Sequence, residues 1–412
     1  MTVNTKKSEC VVFNKSVLTD QRDVTVTYDG DKMVFRSRFV YLGMLFEENE
    51  GSKNAQDRLL VKGRGAMYAM LRRCSELGID NVGIKCRLFD ALVRPVLCYG
   101  GEVWGPSILA HGVTVAKSGF REKLESLHRD FLRQCLGVRK SVPDLALMVE
   151  LRRDPLVMCI VEQILQFWNK IQCRRDGDLV KMAVQASSMG RVGWAKNLQK
   201  FLARYGVSLL DHCDRHPIDV KLVMGIIREK WQHELCAKYS PNIHVVDGTF
   251  QCSLRVRSVP MAVTVGFKNI TYLKWFADTT CDIKTTFWYN LHRKVQIRDV
   301  ACFRLGSHWL NIEMQRFLSG TAPRNERTCP FCVESDSIED ELHVLTCPLY
   351  DDIFHYFGAW VGTYDFEDED DGMNKCMNNY HDHGLSLAFW QNLANVLSKC
   401  KKRRGECLLC EG

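Results

Sequence analysis

Apolar positions along this chain change their period several times. Over residues 1–54 they fall in short runs: 10–13 is continuous, Val24 to Tyr28 alternates, and 33–35 and 39–43 follow. Alternation of this kind predicts strands, and Tyr28-Asp29-Gly30-Asp31 supplies turn chemistry between two of them. Three or four such strands bury little by themselves, so the set reads as an edge of a larger sheet.

From about residue 55 the period is helical. Met67, Met70, Leu71, Cys74 and Leu77 share one face, Arg64, Arg72 and Arg73 lie off it, and Gly78 ends the helix. Ile84, Leu88, Phe89, Leu92 and Val93 repeat the pattern as far as Pro95. Leu124, Leu127, Phe131 and Cys135 form a third stripe flanked by Arg121, Arg129 and Arg133, with Gly137 as its stop. Helical patterning continues over 145–240, turns β-like over 244–275 (Phe250, Cys252, Leu254 and Val256 alternate), and returns near 297–318. Five adjacent acids, Glu367, Asp368, Glu369, Asp370 and Asp371, repel one another and predict a linker over 363–380. A last amphipathic helix over 387–397 runs into Lys401-Lys402-Arg403-Arg404. The expected fold class is therefore α+β, mainly α. Its expected segments are a small β set (1–54), a helical segment (55–140), a helical connecting region with a short β-like stretch (141–296), a Cys/His region (297–362), and an acidic linker with a basic C-terminal helix (363–412).

Composition adds limits. The 412 residues hold 56 Lys and Arg against 49 Asp and Glu, a net charge of +7, which leans mildly toward acidic partners such as nucleic acid. Hydrophobic residues at 46% and charged residues at 25% exclude whole-chain disorder, collagen and coiled coil. No apolar stretch approaches the roughly 18 residues of a membrane span. No apolar core follows Lys6-Lys7, so no signal peptide is expected and the chain reads as intracellular, in nucleus or cytoplasm. In a reducing compartment its 19 cysteines are buried small hydrophobes or metal ligands and not disulfides.

One spacing carries chemistry. Cys329 and Cys332, then His343 and Cys347, form C-x2-C-x10-H-x3-C. The first pair offers two thiolates from one tight turn, and the second offers an imidazole and a thiolate from one helical turn. Four ligands leave no place for a reactive water, so a bound Zn²⁺ would be structural. Weaker groupings, Cys376 with His381 and His383, and Cys400 with Cys407 and Cys410, lack a clear fourth ligand. Gly63-Arg64-Gly65 lacks the strand and the Gly-Lys-Ser/Thr of a phosphate loop. His128 lies within an apolar stripe and reads as a core histidine. Asp351 and Asp352, in Leu349-Tyr350-Asp351-Asp352, read as first-turn helix carboxylates rather than a two-metal pair.

Several segments, in order, resemble the C-terminal half of a LINE-like, non-LTR retrotransposon reverse transcriptase. Residues 4–13 are similar to the stretch after its catalytic strand pair, and Phe39-Val40-Tyr41-Leu42-Gly43 to its primer-grip strand. Arg94-Pro95-Val96-Leu97-Cys98-Tyr99-Gly100 with Glu102 and Trp104 resembles its thumb signature, and 127–138 the helix after it. Residues 303–308, with Arg327 and the Cys329 knuckle, resemble its C-terminal Cys/His region. The resemblance implies that 1–54 is a palm remnant with a primer-grip-like Tyr41, Leu42 and Gly43, and that 55–140 is a thumb. It implies RNA or DNA template-primer as partner. Arg64, Arg72, Arg73, Arg129 and Arg133 become candidate phosphate contacts, since a thumb tracks backbone without reading sequence. Arg304, His308, Trp309 and Arg316 could add base stacking near the Cys/His region. The family's catalytic aspartates are missing from this sequence, so a nucleic-acid-binding remnant without polymerase activity is expected. The alternatives are an inert or protein-interaction remnant, or the C-terminal piece of an intact enzyme split between two gene predictions.

Overall fold

The structure, a computed structural model, describes residues 8–12, 25–28, 30–48, 52–109, 120–189, 193–209, 217–239, 243–246, 249–252, 291–318, 326–332, 337–341, 343–355 and 386–410. The chain is mainly helical with a few short strands, an α+β class. It forms two compact units, each assembled from three separated stretches. Met1–Ala69, Asp90–Ser126 and Leu156–Gly225 make the first, and Met70–Phe89, Leu127–Pro155 and Ile226–Gly412 make the second. These units cut across the expected segment boundaries, because local composition carries no information about which distant helices pack together.

The N-terminal strands are β1 (Glu9–Cys10), β2 (Thr27–Tyr28), β3 (Asp31–Lys32), β4 (Val34–Phe35), β5 (Arg38–Tyr41) and β6 (Met44–Glu47). They pair only two by two: β1 with β4 in parallel, β2 with β3 and β5 with β6 antiparallel. Gly30 turns β2 into β3 with φ of 84°, as the Tyr-Asp-Gly-Asp string predicts. The strand expected over 39–43 stops at Tyr41. Leu42 (φ 45°) and Gly43 (φ 84°) instead make the two-residue turn into β6, where both positions require left-handed backbone.

Helix α1 (Lys53–Glu76) follows, ended as expected at Gly78 (φ 65°). Its Met67, Met70 and Cys74 are buried. The helical path that begins with α2 (Val82–Leu88) does not stop before Pro95. A π-turn over Phe89–Val93 leads into α3 (Arg94–Leu97), where the proline occupies the first turn and its missing N–H costs nothing. Then come α4 (Gly101–Ile108), α5 (Phe120–Leu136), α6 (Asp144–Glu150), α7 (Leu156–Gln172), α8 (Leu179–Met189), α9 (Trp194–Ala203) and α10 (Val220–Tyr239). The hairpin of β7 (Ile243–Val246) and β8 (Thr249–Cys252) matches the start of the expected β-like stretch; Leu254 and Val256 lie outside the described residues. Helices α11 (Lys294–Arg304), α12 (Asn311–Leu318), α13 (His343–Thr346) and α14 (Ser386–Cys410) follow among the described residues. The linker expected over 363–380 lies outside the described residues.

Close helix contacts organise the first unit. Added Cβ atoms on α4 would stand 2.6 Å from Gln163 Oε1 at Gly101 and 2.6 Å from Ile160 Cγ2 at Gly105, so only glycine lets α4 lie this near α7. Glu125 accepts the free N–H groups of Leu156 (3.2 Å) and Val157 (2.9 Å), capping α7 from another helix. The indole of Trp194 donates to Glu102 O at 2.8 Å and fastens α9 to α4. In the second unit Phe89 stacks on Phe131 at 4.2 Å and on His128 at 5.4 Å, so His128 is the core residue its apolar stripe predicts.

Candidate metal centre

Backbone pairing builds the centre before any ligand is considered. An isolated bridge joins Thr328 to Ile338, with Cys329 N donating to Ser337 O at 2.9 Å and Glu339 N to Arg327 O at 3.0 Å. This presents Cys329 and Cys332 on one turn. Asp340 then accepts the His343 N–H at 3.1 Å and starts α13, a single turn that places His343 and Cys347 opposite the knuckle.

The four donor atoms all lie within 4.8 Å of one another and could hold one metal ion. Their separations are informative. Cys329 Sγ is 3.9 Å and Cys332 Sγ 3.7 Å from Cys347 Sγ, while Cys332 Sγ is 3.4 Å from His343 Nε2. Tetrahedral bonds of about 2.3 Å to sulfur and about 2.0–2.1 Å to nitrogen put thiolates about 3.8 Å apart, and sulfur about 3.5 Å from nitrogen. Three of the six edges therefore already have the lengths of a zinc tetrahedron, and all six are within 4.8 Å. Cys329 is held down to about 3 chiefly because the Cys347 thiol donates to it; Cys347, as that donor, is pushed well up. Among the described residues no other group of three or more Cys, His, Asp or Glu converges in this way. Cys376, His381 and His383 lie outside them, and Cys400 is a buried thiol pushed up to about 12 by burial.

What holds the centre in place was not visible in the motif. Asn311 donates its backbone N–H to Glu339 Oε2 at 2.7 Å and its amide to Thr328 O at 2.8 Å, docking the start of α12 on the module. From α14, Arg404 donates to the same Glu339 oxygen at 2.8 Å and lies 5.4 Å from the ring centre of Phe331. His308 and Glu341, both buried, meet at 2.9 Å. The basic run of α14 is thus turned inward or matched: Lys401 reaches Asp299 at 3.4 Å, Lys402 Glu406 at 3.6 Å, and Arg403 pairs with Asp352. Asp352 is held low by that guanidinium, so on this helical turn Asp352 serves an ion pair with α14.

The candidate nucleic-acid residues separate sharply. Arg64, Arg72 and Arg73 are exposed on α1, the last two beside Glu76 at 3.8 and 2.9 Å. Arg129 and Arg133 do not line an open surface. They converge on Asp144 at 3.2 and 2.7 Å and are mostly buried, because α6 returns beside the end of α5. Nor do Arg304 and His308 make a stacking patch. Arg304 is buried against Glu150 through two bonds of 2.6 and 3.2 Å, with its guanidinium over Trp390, and Trp309 is half-buried. The side chain of Arg316 lies outside the described ones. Tyr41 and Leu42 are exposed at the β5–β6 turn, and Tyr99 Oη donates to Leu42 O. Trp104 Nε1 donates in turn to Tyr99 O at 2.9 Å, so the hairpin rests on the 94–104 segment within the first unit. No family model, curated protein or solved structure matches this chain.

Proposed function

We propose that this chain is a zinc-stapled nucleic-acid-binding protein related to the C-terminal part of a non-LTR retrotransposon reverse transcriptase, without polymerase chemistry of its own. The observation that carries the reading is the Cys329, Cys332, His343 and Cys347 tetrahedron, whose edges suit Zn²⁺ and whose four protein ligands leave no reactive position. Support also comes from the packing of the Leu42–Gly43 turn on Tyr99, which joins the two segments carrying the family resemblance. The role of the zinc is to hold the C-terminal module in shape. Backbone contact belongs to the exposed Arg64, Arg72 and Arg73 of α1, and not to Arg129, Arg133, Arg304 or His308, which are committed to carboxylates inside the second unit.

The test is binding of RNA and DNA to the full, zinc-loaded chain across a salt series. Each phosphate neutralised contributes about −0.9 to the slope of log K against log salt on duplex, or about −0.7 on single strands. Arg72→Gln with Arg73→Gln should flatten the slope without changing sequence preference. An unchanged slope assigns α1 to a solvated face. Primer extension with Mg²⁺ should be absent. Extension that disappears with Asp351→Ala and Asp352→Ala would make that pair catalytic after all.

A further inference from the structure

Two basic segments separated by more than 150 positions meet on the second unit. One is the turn after α5, residues 137–141, with Arg139 and Lys140. The other is residues 292–298, with His292, Arg293, Lys294 and Arg298, the last two on α11. Neither contains an acid. One contact joins them directly, and two more fix the first segment to α11 and to Ser307 beyond it. Gly137 (φ 68°) lies under the stem of Arg298, where an added Cβ would stand 3.3 Å from Arg298 Cγ. Cys302 Sγ approaches Gly137 O at 3.9 Å, and Arg139 N donates to Ser307 Oγ at 3.2 Å. All six basic side chains are exposed.

The geometry points to a second phosphate-backbone contact surface, formed by Arg139 and Lys140 together with His292, Arg293, Lys294 and Arg298. It rests on the nucleic-acid-binding reading above but concerns residues outside α1. The nearest acids in sequence are occupied: Asp299 is buried and pairs with Lys401. A protein partner would need an apolar or aromatic anchor. Here Val295, 64% exposed, is the only large apolar residue exposed in the two segments. A phosphodiester backbone needs only cations, and without an aromatic platform binding should be indifferent to base identity.

The experiment uses the full, zinc-loaded chain with a fluorescent oligo(U) RNA. The triple variant Lys140→Gln, Arg293→Gln, Lys294→Gln should make the log K against log salt slope shallower by about 2, at about 0.7 per lost contact. A charge-matched variant, Lys170→Gln, Lys200→Gln, Lys221→Gln, should leave the slope as in wild type. In the wild-type chain, bound RNA should protect Lys140 and Lys294 from amine acylation, a readout that does not depend on how the variants fold. Wild type that binds no nucleic acid overturns the functional reading and this surface with it. Wild type that binds, but with Lys140 and Lys294 unprotected or both variants equal, overturns the surface alone. Polyglutamate that displaces RNA at equal charge would reassign the surface to an acidic protein and overturn it too.

Discussion

Arg404 and Glu339, 65 positions apart, meet in the interior of the second unit at 2.8 Å, their side chains 6% and 0% exposed. The contact ties α14 to the strand bridge beneath the metal centre. Removing one partner of a buried pair leaves the other charge uncompensated, which typically costs 3–5 kcal/mol, whereas replacing both by apolar groups is often neutral. Arg404→Met should therefore lower the urea midpoint of the second unit and loosen metal binding. Adding Glu339→Leu should restore much of the loss. If the double variant is as unstable as the sum of the single ones, Arg404 acts through its packing on Phe331 and not through the pair.

One Zn²⁺ per chain is expected, and chelation should lower the melting temperature of the second unit. Cys332→Ser should weaken metal binding by more than about 100-fold, beyond the 10–100-fold typical of residues that only support a ligand. Cys302→Ser should not, since Cys302 lies outside the four-ligand set and its sulfur faces Gly137 O. Thiolates must shed their protons to bind, so affinity should fall as pH drops below neutral. A peptide cut at 316–359 omits Asn311 and Arg404, so the measurement belongs to the full chain. Undiminished zinc stoichiometry in Cys332→Ser would dissolve the assignment.

The metal spacing was readable because its ligands lie within 19 residues and two local turns present them. Arg304 was not, because it meets a carboxylate 154 positions away, and Arg129 and Arg133 were not, because Asp144 reaches them only once α6 has returned beside α5. Periodicity worked for Met67, Met70 and Cys74 on one unbroken helix. After Val82 it held for Phe89 and Val93, both buried, but not for Ile84 and Leu92, which are 37% and 53% exposed, because the buried line runs through Val82, Cys86, Phe89, Val93 and Leu97. Ile84, two positions from both Val82 and Cys86 on α2, falls on the opposite side of that helix, and Leu92 lies within the π-turn, whose extra residue changes which way its positions face. Leu77 is 60% exposed because α1 has ended one residue earlier.

Two glycines two positions apart on α1, Gly63 and Gly65, should respond in opposite directions. An alanine Cβ at Gly65 meets nothing within 4 Å, so Gly65→Ala should add up to about 1 kcal/mol through helix propensity. At Gly63 the same atom would fall 2.2 Å from Leu97 Cδ2, on a side chain with no exposure. Overpacking of that kind costs about 1–3 kcal/mol, so Gly63→Ala should lower the thermal midpoint. Equal shifts for both would mean that α1 does not press against Leu97.

Glu339 also makes the metal-free chain sensitive to pH in a direction opposite to metal binding. Burial raises its carboxyl from 4.5 to about 7, against the pull of Arg404 and the Asn311 N–H. A folded-state value above the unfolded one means that the folded chain holds the extra proton between those two pH values. Stability from this group is therefore full below about 4.5 and is lost as pH rises through about 7. A displacement of that size corresponds to a few kcal/mol, on the order of 3, at about 1.4 per unit. Glu339→Gln keeps an acceptor for Arg404 but cannot ionise. In chelator, the melting temperature of Glu339→Gln relative to wild type should therefore climb between pH 5 and pH 8, while zinc-loaded wild type gains stability over the same interval. A difference between variant and wild type that stays flat with pH would show Glu339 ionised throughout, with Arg404 outweighing its burial.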